Sequence, residues 1–308
     1  NQHGCELSFK LRINKAEIAR RFPFYGQVRS PLNPILAARG RERESELQGS
    51  IGARVPILES GNGPEGRMTW SELLRRLAGL QEGEERFARE VEIEGEVGEF
   101  SLFGRMDFVI LRWSDGAPRL RIVECKASRR DRTYHRVQLA AYRVLVSEAL
   151  GKDGVVIGGK LHRNIVLESV VARIDEDTNE VQDALTAPSL DLEQEMEDLR
   201  RLLAADGPLA RIDSMDLDEL SYSLDPKCDA CVHCPICLPE SARQRRLELL
   251  GIDTVTARAL RHAGIGDLDA LADLDPRGRE ARSLRGTVGF TSDLDDLIGR
   301  AKARRSTL

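Results

Sequence analysis

The 308-residue sequence has no run of about 18 consecutive apolar residues, so no transmembrane helix is expected. Its opening stretch, NQHGCELSFKLRINK, holds no apolar segment of signal-peptide length, which points to a cytoplasmic protein. There is no GxxxxGK(S/T) phosphate loop, so the chain carries no helicase motor of its own. GxSxG is missing too, and no Ser/His/Asp arrangement can be assembled. The five histidines (His3, His135, His162, His233 and His262) are scattered, and only His135 falls near the candidate site described below. Repeats and low-complexity tracts are also absent. With 41% hydrophobic and 31% charged residues, the chain is not disordered as a whole. Its length suffices for one large domain or two to three modest ones.

The net charge of −5 does not by itself suggest a nucleic-acid binder, but it is unevenly spread. Residues 10–43 carry nine basic groups against Glu17 and Glu42, a local +7. Residues 119–143 carry eight against Glu124 and Asp131, a local +6, whereas 174–198 hold ten acids and no base. Two basic surfaces can therefore attract phosphates, or the same residues can form solvated helix faces.

Residues 14–21, 32–48 and 70–87 read as helices, the last with Ser71 as its N-cap. The Gly/Pro-rich ESGNGPEG between them reads as a surface excursion. From Arg89 the period changes. REVEIEG alternates, SLFGRMDFVILRW and LRIVEC are β-rich, and SDGAP is a turn, which together predict a three-stranded antiparallel meander. A helix over 133–150 follows, then one or two strands in DGVVIGGK and NIVLESVVARI, a helical acidic segment over 175–206, and two or three short helices in 241–274. This order predicts a mixed α/β core with helices packed on the sheet.

The chemistry concentrates in GRMDFVI, IVECKAS and QLAAY. Asp107 lies on one strand, with Glu124 and Lys126 two residues apart on the next. Glu124 and Lys126 share a face and Cys125 points the other way. In an antiparallel hairpin Asp107 can lie beside Glu124. Two carboxylates that close repel unless a cation sits between them, and hard oxygen ligands suit Mg²⁺ or Mn²⁺. A nearby Lys126 can orient or help deprotonate an attacking water. The competing reading is a surface ion-pair ladder of Asp107, Glu124, Lys126 and Arg105. Tyr134, Gln138 and Tyr142 recur every fourth residue and form one stripe on a helix. That stripe can grip a nucleic-acid strand or hold the lysine, or it can be ordinary amphipathicity.

Together, GRMD, ECK and QLAAY resemble the PD-(D/E)xK nuclease core in its RecB-like branch. That branch includes RecB and AddB-type nuclease domains and the CRISPR-associated RecB-like exonucleases. The resemblance covers about residues 14–237. It implies a restriction-endonuclease-like α/β core with Asp107 and Glu124 as metal ligands, the Cys125 carbonyl as a third, and Lys126 as the catalytic lysine. Gln138 and Tyr142 match the family's QxxxY helix element. The family's upstream Gly…His-Glu element corresponds here to ARGRERE: Gly40 and Glu44 fit, but Arg43 stands at the histidine position. Arginine cannot ligate a metal, so either Glu44 takes over as the ligand there or the site is weaker than the family norm.

Six cysteines occur, four of them in CDACVHCPIC: Cys228, Cys231, Cys234 and Cys237. In a cytosolic chain that density reads as a metal site rather than as disulfides. The spacing of Cys228, Cys231 and Cys237 resembles the iron–sulfur nucleases of the same branch. This resemblance implies a 4Fe–4S cluster whose fourth ligand is Cys5 or Cys234. A structural zinc site on the same run, with His233 available, is the alternative. Either would join chain ends around the core. Further on, LELLGIDTVTARALRHAGIGDLDALADLD resembles a helix-hairpin-helix module, with Thr254 and Asp267 as caps and Gly264 and Gly266 giving a tight turn. It is equally readable as a plain helical hairpin.

The expected organisation is a RecB-like nuclease core with N-terminal helices over 1–172, an acidic helical segment and cysteine cluster over 173–242, and a helix-hairpin-helix-like region over 243–308. The expected activity is metal-dependent hydrolysis of DNA phosphodiesters, as an exonuclease on single-stranded or frayed ends. The alternative, motivated by Arg43, is a weak or inactive DNA-binding subunit. In either role the missing motor suggests a larger helicase–nuclease, CRISPR adaptation or defence complex, with a helicase or integrase as partner.

Overall fold

The computed structural model describes residues 5–24, 34–59, 67–128, 132–151, 154–175, 180–217, 219–220, 222, 224, 228–229, 231–288 and 290–307. In chain order the helices and strands begin α1 (Glu6–Ile13), α2 (Lys15–Arg21), α3 (Pro34–Gly52), β1 (Met68–Thr69) and α4 (Trp70–Ala78). They continue with β2 (Arg86–Val97), β3 (Phe100–Ser114), β4 (Ala117–Lys126), α5 (Thr133–Leu150), β5 (Val155–Ile157), β6 (Lys160–His162) and β7 (Val166–Arg173). The last are α6 (Glu193–Leu203), α7 (Pro208–Ser214), α8 (Cys234–Arg243), α9 (Thr254–His262), α10 (Leu268–Ala272), α11 (Arg279–Arg285) and α12 (Leu294–Arg305). The chain divides into two compact units, residues 31–211 and residues 1–30 with 212–308.

The 31–211 unit is built on a five-stranded mixed sheet of order β1-β2-β3-β4-β7. The expected antiparallel meander is β2-β3-β4, and β7 joins β4 in parallel after the α5 crossover. The β3–β4 turn places Asp115 and Gly116 at φ 53° and 73°, both left-handed, as a two-residue hairpin turn demands. Two apolar layers sandwich the sheet. On one face Leu47, Ile51 and Val55 of the α3 region meet Phe87, Phe108, Ile110, Val123 and Cys125. On the other, α4, α5 and α6 meet Val91, Met106, Val109, Leu120 and Ile122. β4 is consequently buried along most of its length, as a central strand covered on both sides must be. This flanked mixed sheet is consistent with the restriction-endonuclease-like core the sequence suggested.

Several local expectations are corrected. The helix expected over 70–87 stops at Ala78, because Gly79 caps it and Gly83 turns the chain at φ 91°. Its N-cap is Thr69, which accepts from Glu72 N–H at 3.3 Å, and not Ser71. The acidic stretch is helical only over Glu193–Leu203 among the described residues. Before it, residues 180–190 form a strap on the sheet. Val181 bridges Ile174, Leu190 N–H donates to the Ser169 carbonyl, and buried Arg121 donates to the carbonyls of Ala184 and Ala187. Tertiary hydrogen bonds here outweigh helix propensity. The stretch ESGNGPEG lies almost wholly outside the described residues.

In the other unit, the 3₁₀ turn Leu247–Leu250 and α9–α12 enclose a separate apolar core containing Leu260, Leu268, Leu271, Leu284, Leu297 and Ile298. The α9 cap is Asp253 rather than Thr254, while Asp267 caps α10 as expected. Gly264 adopts φ 84°; Gly266 does not require a positive φ. Among the described residues no helix is long and apolar enough to cross a membrane.

Candidate active site

The β3–β4 register pairs Phe108 with Val123, which sets Asp107 across from Glu124. The Asp107 carboxylate accepts the Cys125 backbone N–H at 2.7 Å, fixing it against the end of β4. Glu124 is almost wholly buried and faces α5. Its Oε1 accepts from Gln138 Nε2 at 2.7 Å and from the Lys126 ammonium. Gln138 Nε2 also donates to the Tyr142 hydroxyl at 2.7 Å, and that hydroxyl donates to the Arg105 carbonyl at 2.7 Å. The expected stripe thus divides. Gln138 and Tyr142 enter the site, while Tyr134 stays 47% exposed with its ring edge-on to buried His135.

A steric detail ties the first motif to the last. A Cβ on Gly104 would fall 2.7 and 2.8 Å from Tyr142 ring carbons. Side-chain atoms do not approach so closely, so the glycine of GRMD is the space that the tyrosine of QLAAY occupies. Sequence reading gave Gly104 no role, because the two motifs meet only in the folded sheet. Gly40 is different: a Cβ there would meet nothing within 4 Å.

The electrostatics are those of crowded, partly dry negative charge. Burial, followed by the Glu124 carboxylate, pushes the Asp107 pKa up to about 8. Burial also raises Glu124 despite the opposing pull of Lys126. Glu44, on α3, is raised by burial and by Glu90, and adds to the negative field at Asp107 and Glu124. For Lys126, burial works against the charge but Glu124 outweighs it, so the pKa rises and the side chain is an ammonium at neutral pH. Burial pushes the Cys125 thiol up to about 12; it packs as an apolar group in the α3-side core. Arg43 pairs with Glu46 at 2.6 Å.

Glu124 Oε2 is buried and, among the described residues, has no hydrogen-bond partner. An orphaned carboxylate oxygen is costly, and a bound cation relieves it. Among the described residues no group of three or more His, Cys, Asp or Glu side chains is arranged to hold a metal ion. A hexacoordinate hard cation that keeps its waters needs only one or two carboxylates. Asp107 and Glu124, with a backbone carbonyl, fit that requirement.

A model of the PD-(D/E)XK nuclease superfamily matches residues 36–238, two thirds of the chain. The chain belongs to the PD-(D/E)XK nuclease superfamily. This membership makes phosphodiester cleavage with DNA as substrate the activity the superfamily suggests, and its nucleases typically use divalent metals such as Mg²⁺ or Mn²⁺. No curated protein matches the sequence. One solved structure, "Crystal structure of SSO0001", aligns over 75% of this chain and 84% of its own, at 16% identity and a TM-score of 0.33, too loose a likeness to carry weight.

Part of the basic excess of 119–143 is held in ion pairs. Arg119 and Arg121 pair with Glu168 at 3.2 and 2.7 Å, and Arg136 pairs with Glu195. Arg143 lies 3.8 Å from Glu193. Two acids of α6, Glu193 and Glu195, thus lie against the basic residues of α5. Of the other basic groups in this segment, Arg129 and Arg130 lie outside the described residues and Arg132 is exposed.

The cysteine run belongs to the 1–30/212–308 unit, as does Cys5. Cys5 caps α1, its sulfur accepting from Ser8 N–H at 3.4 Å. Burial, then the neighbouring Cys5, Cys231, Cys228 and Cys234, push the Cys237 thiol up to about 12. Five cysteines therefore share one neighbourhood. His233 is buried, and burial followed by Arg12 lowers its pKa to about 4, so it is neutral. As with the carboxylates, no three of these described groups already stand at coordinating positions.

Proposed function

We propose that this protein is a divalent-metal-dependent deoxyribonuclease acting as an exonuclease on single-stranded or frayed DNA ends. The observation that carries the reading is the buried Glu124, with one oxygen held by Lys126 and Gln138 and the other without a partner among the described residues, lying across from Asp107.

Asp107 and Glu124 would hold Mg²⁺ or Mn²⁺ with the Cys125 carbonyl, and Glu44 would add negative charge or a further ligand. When bound, the ion supplies Lewis-acid stabilisation of charge on the scissile phosphate. Lys126, already protonated, orients the attacking water and stabilises negative charge on the phosphate; as an ammonium it is not the resting base. Gln138 fixes the Glu124 oxygen that Lys126 also grips, and Tyr142 fixes Gln138 against the Arg105 carbonyl. Hydrolysis breaks the P–O bond to the leaving sugar oxygen as the water oxygen bonds to phosphorus; the water loses one proton and the leaving oxygen gains one. The nucleophile and ammonium roles predict release of nucleotides from end-labelled DNA with Mn²⁺. Asp107→Ala and Lys126→Ala should each lower that rate by about 10²–10⁴-fold. Persistent wild-type rates in both would refute the assignment. Tight DNA binding without cleavage under any divalent metal would instead select a docking subunit, the role suggested by Arg43 at the histidine position.

The donor set of five clustered thiols fits a soft metal centre, and we assign it a 4Fe–4S cluster held by Cys228, Cys231 and Cys237 with Cys5 or Cys234 as the fourth ligand. Cys5 is favoured, because four ligands drawn from one ten-residue CxxCxxCxxC run are geometrically tight around a cubane. The cluster would staple the N-terminal helix to the C-terminal half of its own unit. Anaerobically purified protein should be brown with broad absorption near ~400 nm; colourless protein with bound zinc would replace the cluster by a structural zinc site. A helicase, integrase or other defence subunit is the partner class this role needs, and co-purification with an ATPase or an integrase tests it.

A further inference from the structure

β2 and β3 run together from Arg86–Leu111 to Val97–Phe100, and every β2 residue has its Cα partner except Glu90, whose place between the Arg89–Phe108 and Val91–Met106 pairs falls opposite Asp107. Glu90 adopts φ 49°, a left-handed conformation that a long side chain in mid-strand rarely takes. Both strands change phase at this point. Ala88 and Val91 are three residues apart, as are Met106 and Val109, yet all four are buried in the α5-side core. On an uninterrupted strand, residues three apart would point to opposite faces. Flanking them, Phe87 and Phe108 lie in the α3-side core.

The Glu90 carboxylate takes Arg105 Nε at 2.9 Å. Beside it, Arg89 donates to Gln48 of α3 at 2.7 Å, so both residues of the turn are braced by side chains. Strained backbone persists only where its surroundings over-determine it, and such sites cluster where geometry matters.

We infer that Glu90 is a positioning residue: its left-handed turn, braced by Arg105, reverses the phase of β3 and thereby aims the Asp107 carboxylate at Glu124. Without the turn, Met106 and Val109, which flank Asp107 and Phe108, could not both lie in the α5-side core, because residues three apart on an even strand face opposite ways. The inference deepens the proposed metal site and rests on it.

The test reads Mn²⁺ affinity directly, by electron paramagnetic resonance of free Mn²⁺, on the full-length protein. Valine opposes the left-handed conformation and asparagine adopts it readily, yet both remove the carboxylate. Glu90→Val should weaken Mn²⁺ binding about tenfold or more, Glu90→Asn by no more than about threefold, and Arg105→Met by an intermediate factor. A purely structural role would lower the melting temperature of Glu90→Val and leave the Mn²⁺ affinity of the folded protein unchanged; that result overturns the inference. Equal weakening by Val and Asn also overturns it, since the carboxylate rather than the turn would then matter. Wild type that binds Mn²⁺ but does not cleave DNA refutes the nuclease reading alone, whereas wild type that binds no Mn²⁺ refutes both.

Discussion

The carboxylate site and the cysteine neighbourhood each gather groups that would rather be apart, and they do so by different means. At the carboxylates, strand register and one helix turn place every member: Asp107 across from Glu124, Lys126 two residues on, Gln138 and Tyr142 four apart on α5. The thiols are assembled partly by a local run and partly by Cys5, more than 200 positions earlier in the sequence. Register-built sites tolerate little displacement because neighbouring rungs move together. A centre assembled from distant segments instead holds those segments to one another. The first arrangement suits chemistry and the second suits stability.

That contrast gives the largest expected effects. Glu124→Gln should abolish nuclease activity, by about 10³-fold, while the melting temperature stays level or rises. The sign follows from linkage. The folded-state pKa of Glu124 is raised by burial, so its ionised form destabilises the fold at neutral pH, and a neutral amide of the same shape removes that burden. Cys237→Ser should do the reverse, lowering the melting temperature by about 5–10 °C with loss of bound metal. A stability loss in Glu124→Gln as large as that in Cys237→Ser would erase the distinction.

A smaller effect separates the two by pH. The Asp107 pKa is about 8 in the folded protein against an ordinary 3.8. A raised pKa contributes stability that is complete below about 4 and lost as pH climbs through about 8. Metal-free wild type should therefore lose melting temperature between pH 5 and pH 8 relative to Asp107→Asn. Mn²⁺ should restore more of it at pH 8, and titration calorimetry in two buffers should show proton release on binding near pH 7. Equal pH slopes for wild type and Asp107→Asn would count against the buried, crowded Asp107 described here.

What could be read from the sequence follows the same line. Asp107, Glu124 and Lys126 were legible because strand alternation and a hairpin turn suffice to bring them together. Gln138 and Tyr142 were legible because helix periodicity is local. Glu90 was not, since a left-handed turn is signalled by Gly or Asn and here the residue is Glu. Gly104 was visible as a residue but not as a contact, because its partner lies 38 positions later. The acidic stretch misled because its helix propensity is real, while Arg121 and the edge of β7 offer its backbone stronger partners. Thr69 replaced Ser71 as a cap because β1 pairs with β2 up to Thr69, which makes it the last extended residue before the helix.

Gly104 offers an intermediate test of how tightly the first site is built. Gly104→Ala should push the Tyr142 ring aside at a cost of about 1–3 kcal/mol and lower activity through the Gln138–Glu124 link. Tyr142→Ala in the same background removes the overlap. The double variant should then be more stable than additivity allows, a coupling read from denaturant midpoints. Strict additivity would mean that ring and glycine do not press on one another.

The smallest expected effect lies outside both sites, in the strap of residues 180–190. Arg54 holds Asp183 with a pair of hydrogen bonds of 2.8 and 2.5 Å, and Leu185 N–H and the Thr186 hydroxyl each add another at 3.0 Å. These bonds lower the Asp183 pKa from 3.8 to about 2. A depressed pKa contributes stability that is present above about 4 and lost as pH falls toward 2. Both side chains are about a third or more exposed, so solvent screening limits the pair to about 1 kcal/mol or less. Asp183→Asn should therefore lower the urea midpoint slightly at pH 5 and leave it equal to wild type near pH 2. If the variant instead matched wild type at pH 5 as well, the strap would be held by its backbone bonds to Arg121 and β7 alone.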